Sequence, residues 1–198
     1  MTARIGLFGG SFDPVHNAHV ALARTALAQL ALDAVWWIPA GRAWQKAGAG
    51  ADGEHRAAMV ELAIAGEPRF RLERCELDRA GPSYTIDTVR VLQRRAPATA
   101  WTLILGQDQY AGLATWHEWR ELVSCVTLAV AGRAGSAPHA GAALATVPHR
   151  VVVLDMPPMA ASATALRERI IRGDDIAALV PPAVARYIDR HHLYRGTP

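Results

Sequence analysis

Short apolar runs alternate with helix-patterned segments along most of this chain, and that alternation limits the fold more than any other feature. Ala3 to Phe8, Ala34 to Ile38, Phe70 to Cys75, Trp101 to Leu105, Val126 to Ala131 and Val151 to Leu154 read as strands. Between them Asn17 to Ala31, His55 to Ala65, Tyr84 to Arg95 and Trp116 to Val123 carry helical spacing. After Leu154 no strand pattern recurs; Ser162 to Arg172 and Pro182 to His192 read as two helices, the last opened by Pro181-Pro182. Strands that alternate with helices make a parallel sheet covered on both faces. The expected fold is therefore α/β, a Rossmann-like doubly wound parallel sheet with a small helical C-terminal part. It is expected as a single domain over residues 1–198, with residues 1–155 as the core and 156–198 as the helical part. Ligands of such sheets bind beyond the carboxyl ends of the strands, so the turn after the first strand is the first place to search.

The bulk properties agree with a globular chain. Of 198 residues, 51% are hydrophobic and 20% charged, enough to bury a core and too apolar for a disordered segment. The net charge of +3 favours small anions weakly, and no Lys/Arg block is present to suggest a nucleic-acid face. Cys75 and Cys125 lack CxxC spacing and read as free thiols of a reducing compartment. No apolar stretch approaches the ~18 residues that span a bilayer, and the N-terminus lacks the long apolar region of a signal peptide. The expectation is a cytoplasmic protein without membrane or nucleic-acid partners.

The first turn reads Gly9-Gly10-Ser11-Phe12-Asp13-Pro14-Val15-His16-Asn17-Ala18-His19. Paired glycines let the main chain bend sharply and approach a ligand. Asn17 is a candidate N-cap, which places His19 in the first helical turn, where N–H groups and the helix dipole attract phosphate. His16 and His19, three apart, face one spot. A GxGxxG dinucleotide fingerprint is absent, and so is a Walker A lysine. Two histidines without a third ligand make a poor zinc site. An isolated HxxH is as often an incidental helix start, but here turn, strand and helix fall where a phosphate site needs them.

This segment resembles the signature of the nucleotidyltransferase superfamily, GxFDPxHxGH, with Ala18 where the pattern has glycine. The resemblance implies that His16 and His19 hold the ATP phosphates and that Gly9, Gly10, Ser11 and Phe12 line the ATP turn. Four further segments resemble the bacterial nicotinate-nucleotide adenylyltransferases. Ile38-Pro39 followed by Ala43-Trp44-Gln45-Lys46 is similar to a loop carrying Pro-Pro-His-Lys, which keeps Lys46 as a phosphate cation and lacks the histidine. Gly81-Pro82-Ser83-Tyr84-Thr85-Ile86-Asp87-Thr88 is similar to SYTxxT. There Ser83 or Thr85 is expected to cap the helix, and main-chain groups near Tyr84 and Thr85 are expected to read the nicotinate carboxylate. Gly106-Gln107-Asp108 with Thr115-Trp116 resembles the GxD and TW segments; Gly106 and Asp108 then belong to the mononucleotide site, and Trp116 stacks on the pyridine ring while Trp119 packs inward. Ala161-Ser162-Ala163-Thr164-Ala165-Leu166-Arg167 resembles ISSTxIR, with the first Ile and Ser not retained as such, and the resemblance implies that Ser162, Thr164 and Arg167 hold phosphates. The tail from Val180-Pro181-Pro182 through Tyr187-Ile188 to Leu193-Tyr194 also resembles the family ending and is expected only to pack.

The resemblance implies adenylyl transfer from ATP to nicotinic acid mononucleotide, with Mg²⁺ carried on ATP, and it leaves homo-oligomer formation open. A phosphate nucleophile is already ionised near neutral pH, so positioning and charge stabilisation suffice and no general base is required. Two alternatives remain: the same chemistry on the amide mononucleotide or on both, and a non-catalytic nucleotide-binding protein on this fold.

Overall fold

The computed structural model describes residues 2–41, 50–132, 138–157, 159 and 162–195. Six strands form one all-parallel sheet: β1 (Arg4–Gly10), β2 (Ala34–Pro39), β3 (Phe70–Leu72), β4 (Ala100–Leu105), β5 (Thr127–Ala131) and β6 (Arg150–Leu154). Their spatial order is β3-β2-β1-β4-β5-β6. The chain winds outward from β1 to β3, then crosses back and winds outward from β4 to β6. The crevice between the ends of β1 and β4 is thus the topological switch point, where a doubly wound sheet binds its ligand.

Helices cover both faces. On one face α1 (Asn17–Gln29), α2 (Gly53–Ile64), α7 (Ala163–Arg172) and α8 (Pro182–Arg190) enclose a core that includes Phe8, Trp37, Met59, Leu166 and Ile188. On the other, α3 (Thr85–Arg95) and α5 (Trp119–Cys125) pack on Leu7, Leu103 and Leu128. The interior strands are apolar on both faces because both faces are covered; in β4 every residue from Trp101 to Leu105 is buried.

The structure corrects several boundaries. β3 stops at Leu72; the Glu73 N–H still donates to the Trp37 carbonyl at 2.8 Å, and Glu76, in the turn that follows, meets Thr88 of α3. Short helices α4 (Gln107–Ala111) and α6 (Ala142–Ala145) and a 3-10 turn (Leu113–Thr115) carry too few residues to show a period. The helix expected from Trp116 begins at Trp119 instead: Trp116 is extended (ψ 150°) and Glu118 is left-handed (φ 47°). His16, not Asn17, is the N-cap of α1. Asn17 is the first helical residue, and its side-chain amide donates to the Ala178 carbonyl at 3.0 Å. Among the described residues no helix is long and apolar enough to cross a membrane.

Candidate active site

β1 delivers the chain into the crevice at Gly9-Gly10. Among the described residues a β-carbon on Gly9 would meet nothing within 4 Å, which leaves the main chain open to a ligand on that side; one on Gly10 would press on the Phe12 ring at 3.0 Å. The turn is tight. Phe12 is left-handed (φ 47°), an arrangement that is uncommon for an aromatic residue and is held only when its surroundings fix it. What fixes it is a buried aromatic cluster. Phe12 is 1% exposed and packs edge-on to Phe8 at 5.4 Å and to His19 at 5.1 Å. Its side chain therefore lies beneath the turn, in the core.

Polar clamps complete the turn. Asp13 is buried, and its Oδ1 accepts from the Ala51 N–H at 3.0 Å and from the Tyr194 hydroxyl at 2.7 Å. Arg56, also buried, donates to the carbonyls of Ser11 (2.9 Å), Gly41 (3.2 Å) and Ala51 (3.2 Å), joining both sides of the crevice. Arg167 donates to the Asp13 carbonyl at 2.7 Å and lies 3.7 Å from its Oδ2. Burial and the Asp13 contact push the Tyr194 phenol well above its ordinary range, so it remains a donor. Tyr194 thus does more than pack. The sequence held no signal for it: Tyr194 follows His191, His192 and Leu193 and precedes Arg195, and nothing there pointed to Asp13.

The two histidines meet as expected. Their rings stack with centroids 3.6 Å apart and an interplanar angle of 20°. Two cations at that separation repel, so the arrangement suits neutral rings. Burial agrees: it lowers the His16 pKa to about 4. The main-chain N–H of His16 donates to His19 Nδ1 at 3.2 Å. That bond requires a lone pair on Nδ1 and leaves Nε2 as the N–H donor of a neutral His19. His16 Nδ1 is buried without a hydrogen-bond partner among the described residues, a cost that tends to persist at functional positions.

Beyond the turn lies a cleft of about 220 Å³. Gly9, Gly10 and Ser11 line one end; Tyr84, Thr85, Trp116 and His117 line the other. Tyr84 is the N-cap of α3 through its main chain. Ser83 does not cap that helix: its Oγ accepts the Gly41 N–H at 2.9 Å and ties the end of β2 to the start of α3. The Tyr84 ring stacks on His117 at 4.2 Å, and Trp116 lines the opening while Trp119 is buried in the core. Gly106 is the N-cap of α4, Asp108 lies in its first turn, and the next residue, Gln109, lines the cleft. Ser162 caps α7 by accepting from the Ala165 N–H at 3.2 Å, and Thr164 Oγ1 is 3.4 Å from an Arg167 nitrogen. Lys46 lies outside the described residues. Sequence reasoning missed Glu76, a buried acid lining the cleft, and the joint role of Asp13 and Arg56.

A glycine turn, a helix start and paired imidazoles at the switch point of a parallel sheet define a nucleotide-binding α/β protein of the nucleotidyltransferase type. The model of the family "Cytidylyltransferase-like" matches residues 7–169. A relative from Methylibium petroleiphilum, described as "Probable nicotinate-nucleotide adenylyltransferase", is 54% identical over 96% of this chain and 92% of its own length. A relative from Bordetella petrii with the same description is 51% identical over 97% of this chain and 99% of its own. The chain belongs to the cytidylyltransferase-like family and, within it, to the nicotinate-nucleotide adenylyltransferases. A solved structure, the Plasmodium falciparum nicotinic acid mononucleotide adenylyltransferase complexed with NaAD, shares the fold with a TM-score of 0.81 at 20% identity, covering 97% of each chain.

Proposed function

We propose that this chain transfers the adenylyl group of ATP to nicotinic acid mononucleotide, giving nicotinic acid adenine dinucleotide and pyrophosphate in NAD biosynthesis. What supports the proposal is one cleft lined at one end by the glycine turn Gly9-Gly10-Ser11 and at the other by Tyr84, Trp116 and His117, joined to relatives of that description over nearly the full length.

ATP would lie over Gly9, Gly10 and Ser11 with its phosphates toward α1, and the mononucleotide over Tyr84, Thr85 and Trp116, with Gly106 and Asp108 nearby. An ionised phosphate oxygen of the mononucleotide attacks the α-phosphorus of ATP. A P–O bond forms on one side, the bond to the β-phosphate oxygen breaks on the other, and pyrophosphate leaves with that electron pair. No proton must be removed from the nucleophile. His19, held as the Nε2–H tautomer, would donate to oxygens on which charge develops, and His16 would accompany it as a neutral ring. Fixed donors at developing charge are the largest catalytic contribution in such reactions. Arg167 with Ser162 and Thr164, and Lys46, would neutralise the leaving pyrophosphate. Mg²⁺ would enter as MgATP, part of the substrate. Among the described residues no group of three or more His, Cys, Asp or Glu could hold a metal, and a Mg²⁺ that keeps several waters needs few protein ligands.

The test incubates the purified chain with MgATP and each mononucleotide in turn and quantifies dinucleotide and pyrophosphate. Equimolar dinucleotide and pyrophosphate from the acid mononucleotide supports the proposal. ATP binding without either product would overturn it in favour of a non-catalytic nucleotide-binding protein.

A further inference from the structure

Glu76 stands in the turn between β3 and α3. It is 7% exposed and yet lines the cleft beside Ser83, Tyr84, Thr85 and Thr88. Its Oε1 accepts the Thr88 hydroxyl at 2.7 Å. Its carbonyl oxygen would lie 2.1 Å from a β-carbon on residue 41, so only glycine fits where the β2 end passes it. The side chain is therefore fixed by α3 and by its own turn, in the wall that would receive the pyridine ring. Its position rests on the mononucleotide site proposed above.

A fixed acid in that wall opposes an anionic substituent, whereas it can accept a hydrogen bond from a neutral amide without changing its own charge. Two carboxylates sharing a confined site cannot both ionise at low cost; one takes up a proton. The surrounding groups leave that proton to Glu76. Arg79, in the same turn, is the nearby cation and favours the ionised form; hydrogen bonds from Thr88 and Ser83 do the same. Burial outweighs them and raises the Glu76 pKa. The neighbouring Cys75 thiol is pushed to about 12, mainly by burial and further by Glu73 and Glu76, and stays neutral; Arg95 lies beyond it. Tyr84 and His117 face the same cleft from α3 and from the segment before α5.

We propose that Glu76 is a charge-selecting residue of the mononucleotide cleft: it takes up one proton when a ligand carboxylate enters beside Tyr84 and Thr85, and it keeps its own state when the pyridine substituent is neutral. The sign follows. As pH rises through the raised pKa of Glu76, protonating it becomes harder. The acid mononucleotide then binds more weakly and the amide does not, so the acid-to-amide preference falls by roughly tenfold per pH unit at its steepest.

Titration calorimetry of the full chain tests this at pH 8.5, with each mononucleotide in two buffers of different ionisation enthalpy. Both ligands carry the same phosphate, so its proton linkage cancels in the difference. The expected result is greater proton uptake with the acid than with the amide, by up to one proton, and no such difference in Glu76→Gln. Glutamine keeps an oxygen to accept from Thr88, and its thermal melt checks folding; were that variant unfolded, the proton count of the unaltered chain decides alone. Equal uptake for both ligands, or a difference that survives Glu76→Gln, overturns the proposal. If dinucleotide still forms in that case, only the role of Glu76 falls. If neither mononucleotide binds, the mononucleotide site and the role of Glu76 fall together.

Discussion

At the β1–α1 turn each departure from regular backbone has a fixed partner: Phe12 its aromatic cluster, Asp13 its bonds to the half-buried Ala51 and Tyr194, the Ser11 carbonyl its bond from the buried Arg56. The other end of the cleft is built differently. Trp116 and His117 follow a 3-10 turn and precede a left-handed Glu118, and the His117 ring stacks on Tyr84. Arg90 draws Glu118 and Glu121 toward α3 there, but that network is solvent-exposed, and exposed ion pairs contribute little. The contrast follows the chemistry proposed for each end. Stabilising charge on phosphorus needs donors fixed in advance. Stacking a flat ring tolerates a wall that shifts.

The contrast can be broken at either end. Replacing His19 with alanine removes a donor from the rigid end and should lower kcat by about 10²–10³-fold with little change in the ATP KM. Steady-state kinetics check this, and unchanged turnover would mean the rings are structural. The acid response comes next. Burial holds the His16 pKa at about 4, below its ordinary 6.5, so folding favours the neutral ring. Its contribution is complete above about pH 6.5 and is lost as pH falls toward 4, on the order of 3 kcal/mol in all. Urea melts across that range should therefore show a smaller acid loss for His16→Gln than for the unaltered chain. Equal losses would show that the ring does not titrate out of its burial.

Tyr194→Phe removes one hydrogen bond to the buried Asp13 carboxylate. The expected cost is about 1–3 kcal/mol of stability, with a lower kcat and an unchanged mononucleotide KM. A fall in mononucleotide affinity instead would mean that the two ends are coupled. Trp116→Ala, at the softer end, should raise the mononucleotide KM by roughly three- to tenfold and leave the ATP KM alone. An equal effect on both substrates would erase the distinction between the ends.

Legibility in sequence divides along the same line. The sheet and its large helices were readable because their periods run over enough residues, and the glycine turn with its histidines was readable because each of its residues lies in one short segment. The clamp around that turn was not: Asp13 and Tyr194 are 181 positions apart, and Asp13 and Arg167 are 154 apart. At the other end, Trp116 and Trp119 are at helical spacing and read as one helix, because the left-handed Glu118 between them leaves no compositional mark. Asn17 looked like the better cap by residue type, but Asn17 instead reaches Ala178 and Leu179, a contact that only the fold reveals. Glu76 went unnoticed because a lone glutamate before Leu77-Asp78-Arg79 reads as part of a solvated charged turn.

Imidazole ¹⁵N spectra of the chain at pH 7, recorded with and without a non-hydrolysable ATP analogue, examine the paired rings themselves. Both rings should be neutral, His19 should carry its proton on Nε2, and that nitrogen should shift when the analogue binds. A charged His16, a proton on His19 Nδ1, or two rings that ignore the analogue would contradict the account.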